Sequence, residues 1–155
     1  MNRYLSSHRP HVPVWKRLLL AFVILLIIVA SVISYSIFKA WRLLPESYAA
    51  WTTGNLMVEY LRTHTNQWPR SWEDLRSATN SLLEKGMPIY VPLDRLPQFV
   101  KIDWQADVGY LQQVARSDSN ATIRVVTRLD GLPLRAVWGP NTEPNGKIMR
   151  YLQNP

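Results

Sequence analysis

The pattern of apolar and polar residues divides the chain into a short polar tail, one long apolar run and a mixed region. Residues 18–38 carry no charge, and the few polar groups among them are hydroxyls, including those of Ser31, Ser34 and Ser36. Twenty-one helical residues span about 31 Å, close to the ~30 Å hydrocarbon thickness of a bilayer. A domain this small has no core that could bury a helix apolar on every face. We therefore predict a transmembrane helix over residues 18–40.

The residues that flank the apolar run fit the two edges of a membrane. Trp15 and Trp41 lie just outside its ends, where amphipathic rings favour the headgroup region. The flanking cations, which can extend their alkyl stems to the same region, are Lys16, Arg17, Lys39 and Arg42. A cleaved signal peptide would have a shorter apolar stretch of roughly 7–15 residues, followed by small residues at the cleavage site. Residues 37–42 offer no such site, so we expect the helix to remain as an anchor.

More than half of the net charge of +7 lies in the tail. Residues 1–17 contribute +4 and contain no acid, residues 18–38 contribute nothing, and residues 39–155 contribute +3. Positive residues beside a span favour the cytoplasm. We therefore expect residues 1–17 to form a cytoplasmic basic tail and residues 41–155 to form an extracytoplasmic domain.

The charge and the absence of cysteine also bear on location and partners. An exported domain without cysteine needs no oxidising compartment, which favours a bacterial inner-membrane protein with a periplasmic domain. Arg124, Arg128 and Arg135 are the basic residues that could share one hairpin face, and they are too sparse for a phosphate-binding surface. We expect a lipid bilayer and other envelope proteins as partners, and no nucleic acid.

The region beyond the membrane predicts an α+β domain whose helices precede its strands. Pro45, followed by an acid, suits the start of a helix, which is either separate from the membrane helix or continues it with a bend. Ser71, with Asp74 three residues later, predicts a second helix start. That helix should end near Gly86. Residues 87–97 contain three prolines and predict a surface loop.

The remainder of the domain predicts strands. The segments with strand character are residues 99–104, 122–129, 134–138 and 147–152. Asp130-Gly131 is a strong turn signal between the second and third of these segments. Residues 107–115 fit neither period cleanly; they favour a strand, with a helix left open. The predicted architecture is a set of helices packed on one face of a three- or four-stranded antiparallel sheet.

The sequence offers little catalytic chemistry. There is no cysteine, Gly-rich phosphate loop, nucleophile elbow or cluster with metal-ligand spacing, so we expect no cofactor, no metal and no small-molecule substrate. Asp103 and Asp107 flank Trp104 and are the carboxylates that could serve a hydrolase. A regular strand would direct Asp103 towards solvent, so we expect a protein that is not an enzyme.

Trp68 is the best candidate for a side chain that contacts a partner. A small domain uses tryptophans mainly to bury area, but an exposed one can anchor a protein partner. Trp68 lies in the proline turn 67–70, where exposure is expected. Contacts within the membrane are the alternative, with Ser31, Ser34 and Ser36 at the interface with other helices.

One segment suggests a family. An N-terminal membrane helix, the stretch Trp68-Pro69-Arg70-Ser71-Trp72-Glu73-Asp74-Leu75 and a following antiparallel sheet together resemble the pseudopilins of type II secretion. Those proteins often carry an aromatic-Pro-x-Ser-x-x-acid-Leu stretch after their long helix. The family's Gly-Phe processing junction is replaced here by Val14-Trp15-Lys16-Arg17-Leu18, and no acid enters the apolar run. The resemblance therefore implies a membrane-retained relative that lacks the family's assembly glutamate.

These observations order three hypotheses. The first is a membrane-anchored structural or interaction protein whose external domain docks on a larger envelope assembly. The second is an accessory subunit of an energy-transducing or transport complex, held through its transmembrane helix. The least favoured is an anchored hydrolase that uses Asp103 or Asp107.

Overall fold

The computed structural model describes residues 13–117, 123–135 and 143–154. The chain divides into two compact units, Met1–Lys39 and Ala40–Pro155. The first helix, α1, begins in the first unit and ends in the second.

The first unit contains the apolar start of α1, which covers Val14–Thr63. The described side chains of residues 13–39 are all exposed. An 18-residue window of α1 has a mean hydropathy of 3.0, and none of that window is buried. Within the described residues, α1 is the one helix long and apolar enough to cross a membrane, judged by length and composition. The helix predicted over residues 18–40 is therefore confirmed as a helix.

Pro45 lies inside α1 and does not begin a separate helix. A proline within a helix has no N–H to donate, so the carbonyl of Trp41 lacks its usual partner four residues on. Both residues are exposed, where water can satisfy that carbonyl. The helix therefore tolerates the proline, and of the two possibilities that the sequence left open, continuation of the helix is the one observed.

The core of the second unit is assembled on the C-terminal part of α1. Its fully buried apolar residues include Leu56, Met57 and Leu61, whose spacing places them on one helical face. Buried side chains from every later helix and from both strands join them in one cluster. The core belongs to the second unit alone, since the described side chains of the first unit are exposed.

Helix α2 (Leu75–Glu84) begins and ends close to where the sequence predicts. The N–H of Asp74 donates to Ser71 Oγ at 3.3 Å, and the N–H of Arg70 donates to Asp74 Oδ2 at 2.7 Å, so these side chains order the turn that leads into the helix. At the other end Gly86 adopts φ +69°, and the N–H of Met87 donates to the Leu82 carbonyl. This is the left-handed glycine ending that lysine followed by glycine predicts.

Residues 87–97 contain more regular structure than the predicted loop. A 3-10 helix covers Leu93–Gln98 and follows Pro92, which is in an extended conformation (φ −55°, ψ 146°) just before it. Leu96 is fully buried and packs into the core cluster. The segment therefore contributes to the core as well as to the surface.

The described residues contain one sheet of two antiparallel strands, β1 (Val100–Ile102) and β2 (Val126–Arg128), with Lys101 opposite Thr127. The turn predicted at Asp130-Gly131 is confirmed: Gly131 adopts φ +79°, and the N–H of Arg128 donates to the Leu132 carbonyl. Its predicted return strand is not formed by residues 134 and 135, and residues 136–138 lie outside the described residues. The third and fourth strands are therefore not confirmed.

Residues 107–115, for which a strand is the favoured prediction, belong to helix α3 (Val108–Ser117), so that prediction is wrong. Asp107 Oδ1 accepts the N–H groups of Gly109 and Tyr110, which supplies the helix start. Leu111 and Ala115, four residues apart, are buried on one face. Burial against neighbouring elements resolves a pattern that the sequence leaves ambiguous.

The strand predicted at residues 147–152 is also wrong, because helix α4 covers Pro144–Gln153. Glu143 accepts the N–H of Gly146, and Pro144 occupies the first turn, where its missing N–H costs nothing. Ile148 and Leu152 fit either period, but Met149 is buried too, which an alternating strand would not allow. α4 packs against α3.

Candidate functional site

A cleft of about 800 Å³ opens beside the C-terminal end of α1. It is lined by Tyr60, Gln67, Trp68, Arg70, Asp74, Trp104, Gln105 and Ala106. These residues come from α1, from the segment that connects it to α2, and from the segment that follows β1. The lining combines aromatic rings, two side-chain amides and one charge of each sign.

The turn after α1 directs the chain into this cleft. Thr65 and Asn66 both adopt the left-handed conformation, with φ of 52° and 60°. The N–H of Asn66 donates to the Leu61 carbonyl at 2.9 Å, and the N–H of Gln67 donates to the His64 carbonyl at 3.0 Å. The reversal ends the helix and places Gln67 and Trp68 at the edge of the cleft.

Trp68, the side chain singled out from the sequence, is held at this site by a long-range hydrogen bond. Its Nε1 donates to the carbonyl of Asp103 at 2.8 Å, which ties the turn after α1 to the end of β1. The ring is half-buried and not fully exposed. Because its N–H already has a partner, the indole offers a ligand its apolar surface.

Trp104 is supported from behind by a second tryptophan. The rings of Trp72 and Trp104 meet edge to face, with centroids 5.2 Å apart and an interplanar angle of 82°. This is a favourable aromatic geometry. Both indole rings that line the cleft therefore make contacts within the domain, Trp68 through its N–H and Trp104 through Trp72.

The surroundings of Asp74 and Tyr60 shift the pKa values of both side chains in the cleft. The backbone N–H of Arg70 holds the pKa of Asp74 below its ordinary value by donating to the carboxylate. Burial, together with the charge of Asp74, raises the pKa of Tyr60. At neutral pH the cleft therefore presents an ionised carboxylate beside a neutral phenol.

The two carboxylates considered for hydrolysis are both exposed, and both serve local structure. Asp103 Oδ1 accepts the N–H of Gln105 at 3.0 Å, and Asp107 Oδ1 begins α3. Within the described ranges, no group of three or more His, Asp and Glu side chains is arranged to hold a metal ion.

The serines proposed for helix contacts are exposed on α1. Ser31 Oγ donates to the Ile27 carbonyl at 2.8 Å, and Ser36 Oγ donates to the Val32 carbonyl at 2.9 Å. Both hydroxyls therefore bond back to their own helix, as polar groups in an apolar run commonly do. Ser34 is on the same helix, one turn after Ser31.

The residues predicted at the membrane edges all lie in α1, and the ring of Trp15 is 59% exposed and that of Trp41 69%. Lys16 Nζ lies 5.5 Å from the Trp15 ring centroid, a cation–π distance. The remaining members are Arg17, Lys39 and Arg42.

The cleft also contains residues that the sequence did not single out. Tyr60, Gln67 and Gln105 are separated by up to 45 positions in the chain. No local pattern marks them, because the cleft joins distant parts of the chain, which the Trp68–Asp103 hydrogen bond links. Trp104, which lies between Asp103 and Asp107 in the chain, is the sequence feature nearest to Gln105.

Comparison with protein-family models, with curated proteins and with solved structures finds no match to this chain. None of the three comparisons points to a type II secretion pseudopilin.

Proposed function

We propose that this chain is a single-pass, membrane-anchored interaction protein whose external domain binds an extended peptide segment of an envelope protein in the Trp68 cleft. The observation that carries the proposal is the fixed position of Trp68, whose Nε1 donates to the Asp103 carbonyl at the edge of the cleft. A ring held in advance loses little entropy when it contacts a partner. Tryptophan is also the residue type most often dominant in protein interfaces.

The polar lining favours a peptide as the ligand. Gln67 and Gln105 each carry an amide that both donates and accepts, which matches the paired N–H and C=O of a peptide group. Trp68 and Trp104 provide apolar area for the side chains between those groups. Arg70 and Asp74 add one charge of each sign, which selects for orientation of the segment.

The membrane anchor is proposed from α1. Its apolar run matches the thickness of a bilayer, and the tryptophans and cations at its two ends match the headgroup regions. The excess of +4 in residues 1–17 favours a cytoplasmic N-terminus in the bacterial inner membrane and a periplasmic domain. The resemblance of residues 68–75 to pseudopilins supports an envelope assembly as the partner.

The topology can be tested directly, because the chain contains no cysteine. Single cysteines at Ser7 and Asn80 provide one reporter on each side of the apolar run. In intact spheroplasts, a membrane-impermeant maleimide should label S7C only after lysis and N80C before it. Equal labelling of both before lysis, or the reverse order, would exclude the proposed orientation.

The partner site is tested by photo-cross-linking of the full chain in its native membrane. A photoreactive amino acid at Gln67 should yield a defined cross-linked peptide of one partner, whereas the same group at Gln113, an exposed residue of α3, should not. The double variant Q67A/Q105A and the variant W68F should each reduce co-purification of that partner, whereas Q113A should not. Circular dichroism confirms that the variants remain folded.

The same experiment separates the other hypotheses. If the partner is retained by the cleft variants but lost when residues 18–40 are replaced by an unrelated apolar span, the chain is an accessory subunit held through its helix. An enzymatic activity that vanishes in D103N while the fold persists would instead support a hydrolase.

A further inference from the structure

A second cavity, of about 190 Å³, shares no lining residue with the Trp68 cleft. Its lining comes from α1, α2, α4 and the residue after the glycine that ends α2. The residues are Asn55, Val58, Glu59, Arg62, Leu82, Met87, Lys147 and Arg150. Three of them are basic and one is acidic.

The single acid of this cavity is already neutralised. Glu59 is only 2% exposed, and Ser81 Oγ donates to its Oε1 at 2.7 Å. Lys85 Nζ contacts the same oxygen at 2.5 Å, and Arg62 contacts Oε2 at 3.2 Å. One buried carboxylate therefore already pairs with two cations.

Lys147 lines this cavity, and its amine makes no ion pair among the described residues. Its Nζ donates to Asn55 Oδ1 at 2.7 Å and lies 4.9 Å from the ring centroid of Trp51. Arg150 lies almost one turn further along α4. Within the described residues, no carboxylate lies within ion-pair distance of either side chain.

Lys147 is partly buried and Arg150 is exposed, and the two positive charges repel one another. Burial, followed by the charge of Arg150, lowers the pKa of Lys147 to about 8. A negative charge in the cavity would remove both penalties at once. Four cations lie at or beside this cavity: Arg62, Lys85, Lys147 and Arg150. Together with the single carboxylate of Glu59 they leave an excess of three positive charges.

We propose that this cavity binds a phosphate group through Lys147 and Arg150, with the amide of Asn55 beside them. The arginine can present two parallel N–H donors to an oxyanion, and the lysine supplies a point charge. The cavity volume of about 190 Å³ leaves room for one phosphate group with accompanying water. This inference is independent of the partner proposed for the Trp68 cleft.

Inorganic phosphate is the probe for the first experiment. The full chain is placed in nanodiscs of phosphatidylcholine, and phosphate replaces chloride at constant ionic strength while the thermal unfolding midpoint is measured. The midpoint should rise and saturate with phosphate. K147Q and R150Q should each weaken the response at least tenfold, whereas the exposed β1 variant K101Q should respond as the wild type does.

A second measurement observes Lys147 directly by NMR. The NMR signal of the Lys147 side chain should shift on phosphate addition, since a bound anion favours the protonated amine, and the Lys101 signal should not move. Equal midpoint shifts in the wild type, K147Q and K101Q would show general salt effects and overturn the proposal. An unmoved Lys147 signal at saturating phosphate would overturn it too.

A second arm separates a free phosphate from a lipid headgroup. Nanodiscs that contain phosphatidylglycerol are prepared without phosphate, and the Lys147 signal is measured again. If the signal is already shifted and phosphate adds nothing, the headgroup is the source. If it matches the phosphatidylcholine sample and responds to phosphate, the site takes a soluble phosphate compound.

Discussion

Asn145 hydrogen-bonds both backbone groups of Val126 through its side chain. Its Oδ1 accepts the Val126 N–H at 2.8 Å, and its Nδ2 donates to the Val126 carbonyl at 2.9 Å. The Val125 carbonyl accepts the Asp103 N–H, so Val126 directs its backbone groups to the edge of β2 opposite β1, where the described residues place no further strand. The amide of Asn145 therefore takes the place of a third strand at this buried edge.

The first prediction concerns this edge. N145A removes the partners of both backbone groups of the fully buried Val126 and should lower the free energy of unfolding by about 2–6 kcal/mol, because each of the two unsatisfied groups costs about 1–3 kcal/mol. Urea denaturation of the full chain in nanodiscs, followed by tryptophan fluorescence, measures the change. The matched control N80A, at an exposed site in α2, should change it by less than about 0.5 kcal/mol. Equal effects of the two variants would contradict the role given to Asn145.

The second prediction concerns the helix-to-helix approach at Gly54. A Cβ at this position would lie 2.9 Å from the Cα of Pro144 and 3.2 Å from its Cβ. Alanine favours a helix over glycine by about 1 kcal/mol, yet G54A should destabilise the second unit by about 1–3 kcal/mol, because α4 would be forced away. Thermal unfolding measures the effect. A stabilised G54A would show that α4 adjusts without cost.

The third prediction concerns Glu59 in acid. Burial raises the pKa of Glu59, but the hydrogen bonds from Lys85 and Ser81, together with the positive charges of Lys85 and Arg62, outweigh it, and the net pKa is lowered from its ordinary 4.5. A carboxylate with a lowered pKa in the folded state contributes stability above pH 4.5 that is lost as the pH falls through the folded value.

This loss should disappear in E59Q. At neutral pH the variant should be less stable than the wild type by about 1.5–3 kcal/mol, the usual range for hydrogen bonds to a charged group, and the difference should narrow below pH 4.5. Denaturation at a series of pH values measures it. E84Q, on the exposed end of α2, serves as the control and should follow the wild type throughout. A constant difference across the series would refute the assignment.

The fourth prediction concerns Lys147 in base. Its folded pKa of about 8 lies below the ordinary 10.5, so protonation opposes folding at pH values below 8. The contribution of Lys147 to stability should therefore rise as the pH increases from about 8 to 10.5. The groups that face it are Arg150, Arg62, Glu59, Asn55 and Trp51.

The pH dependence of the contribution of Lys147 to stability is measured by comparing variants, because other lysines and tyrosines titrate in the same range. The stability of the wild type relative to K147Q should increase across this interval, whereas its stability relative to K101Q should stay level. Saturating phosphate should abolish the increase, since the bound anion keeps Lys147 protonated. A level difference for both variants without phosphate would contradict the lowered pKa.

The sequence by itself determined the features that depend on neighbouring residues. Twenty-one uncharged residues specify the apolar start of α1 whatever follows them. Ser71 and Asp74 supply the start of α2 and Gly86 its end, through hydrogen bonds that span only a few positions. The Asp130-Gly131 turn forms for the same reason. In each case the decisive interaction is local.

Only the tertiary structure decided the rest. Residues 107–115 and 147–152 are short and ambiguous in period, so burial against other elements selects helix for both. The cleft depends on a hydrogen bond between Trp68 and Asp103, 35 residues apart, and the phosphate cavity on a contact between Asn55 and Lys147, 92 residues apart. Residue pairs this far apart produce no periodic pattern in the sequence, because they come into contact only when the chain folds.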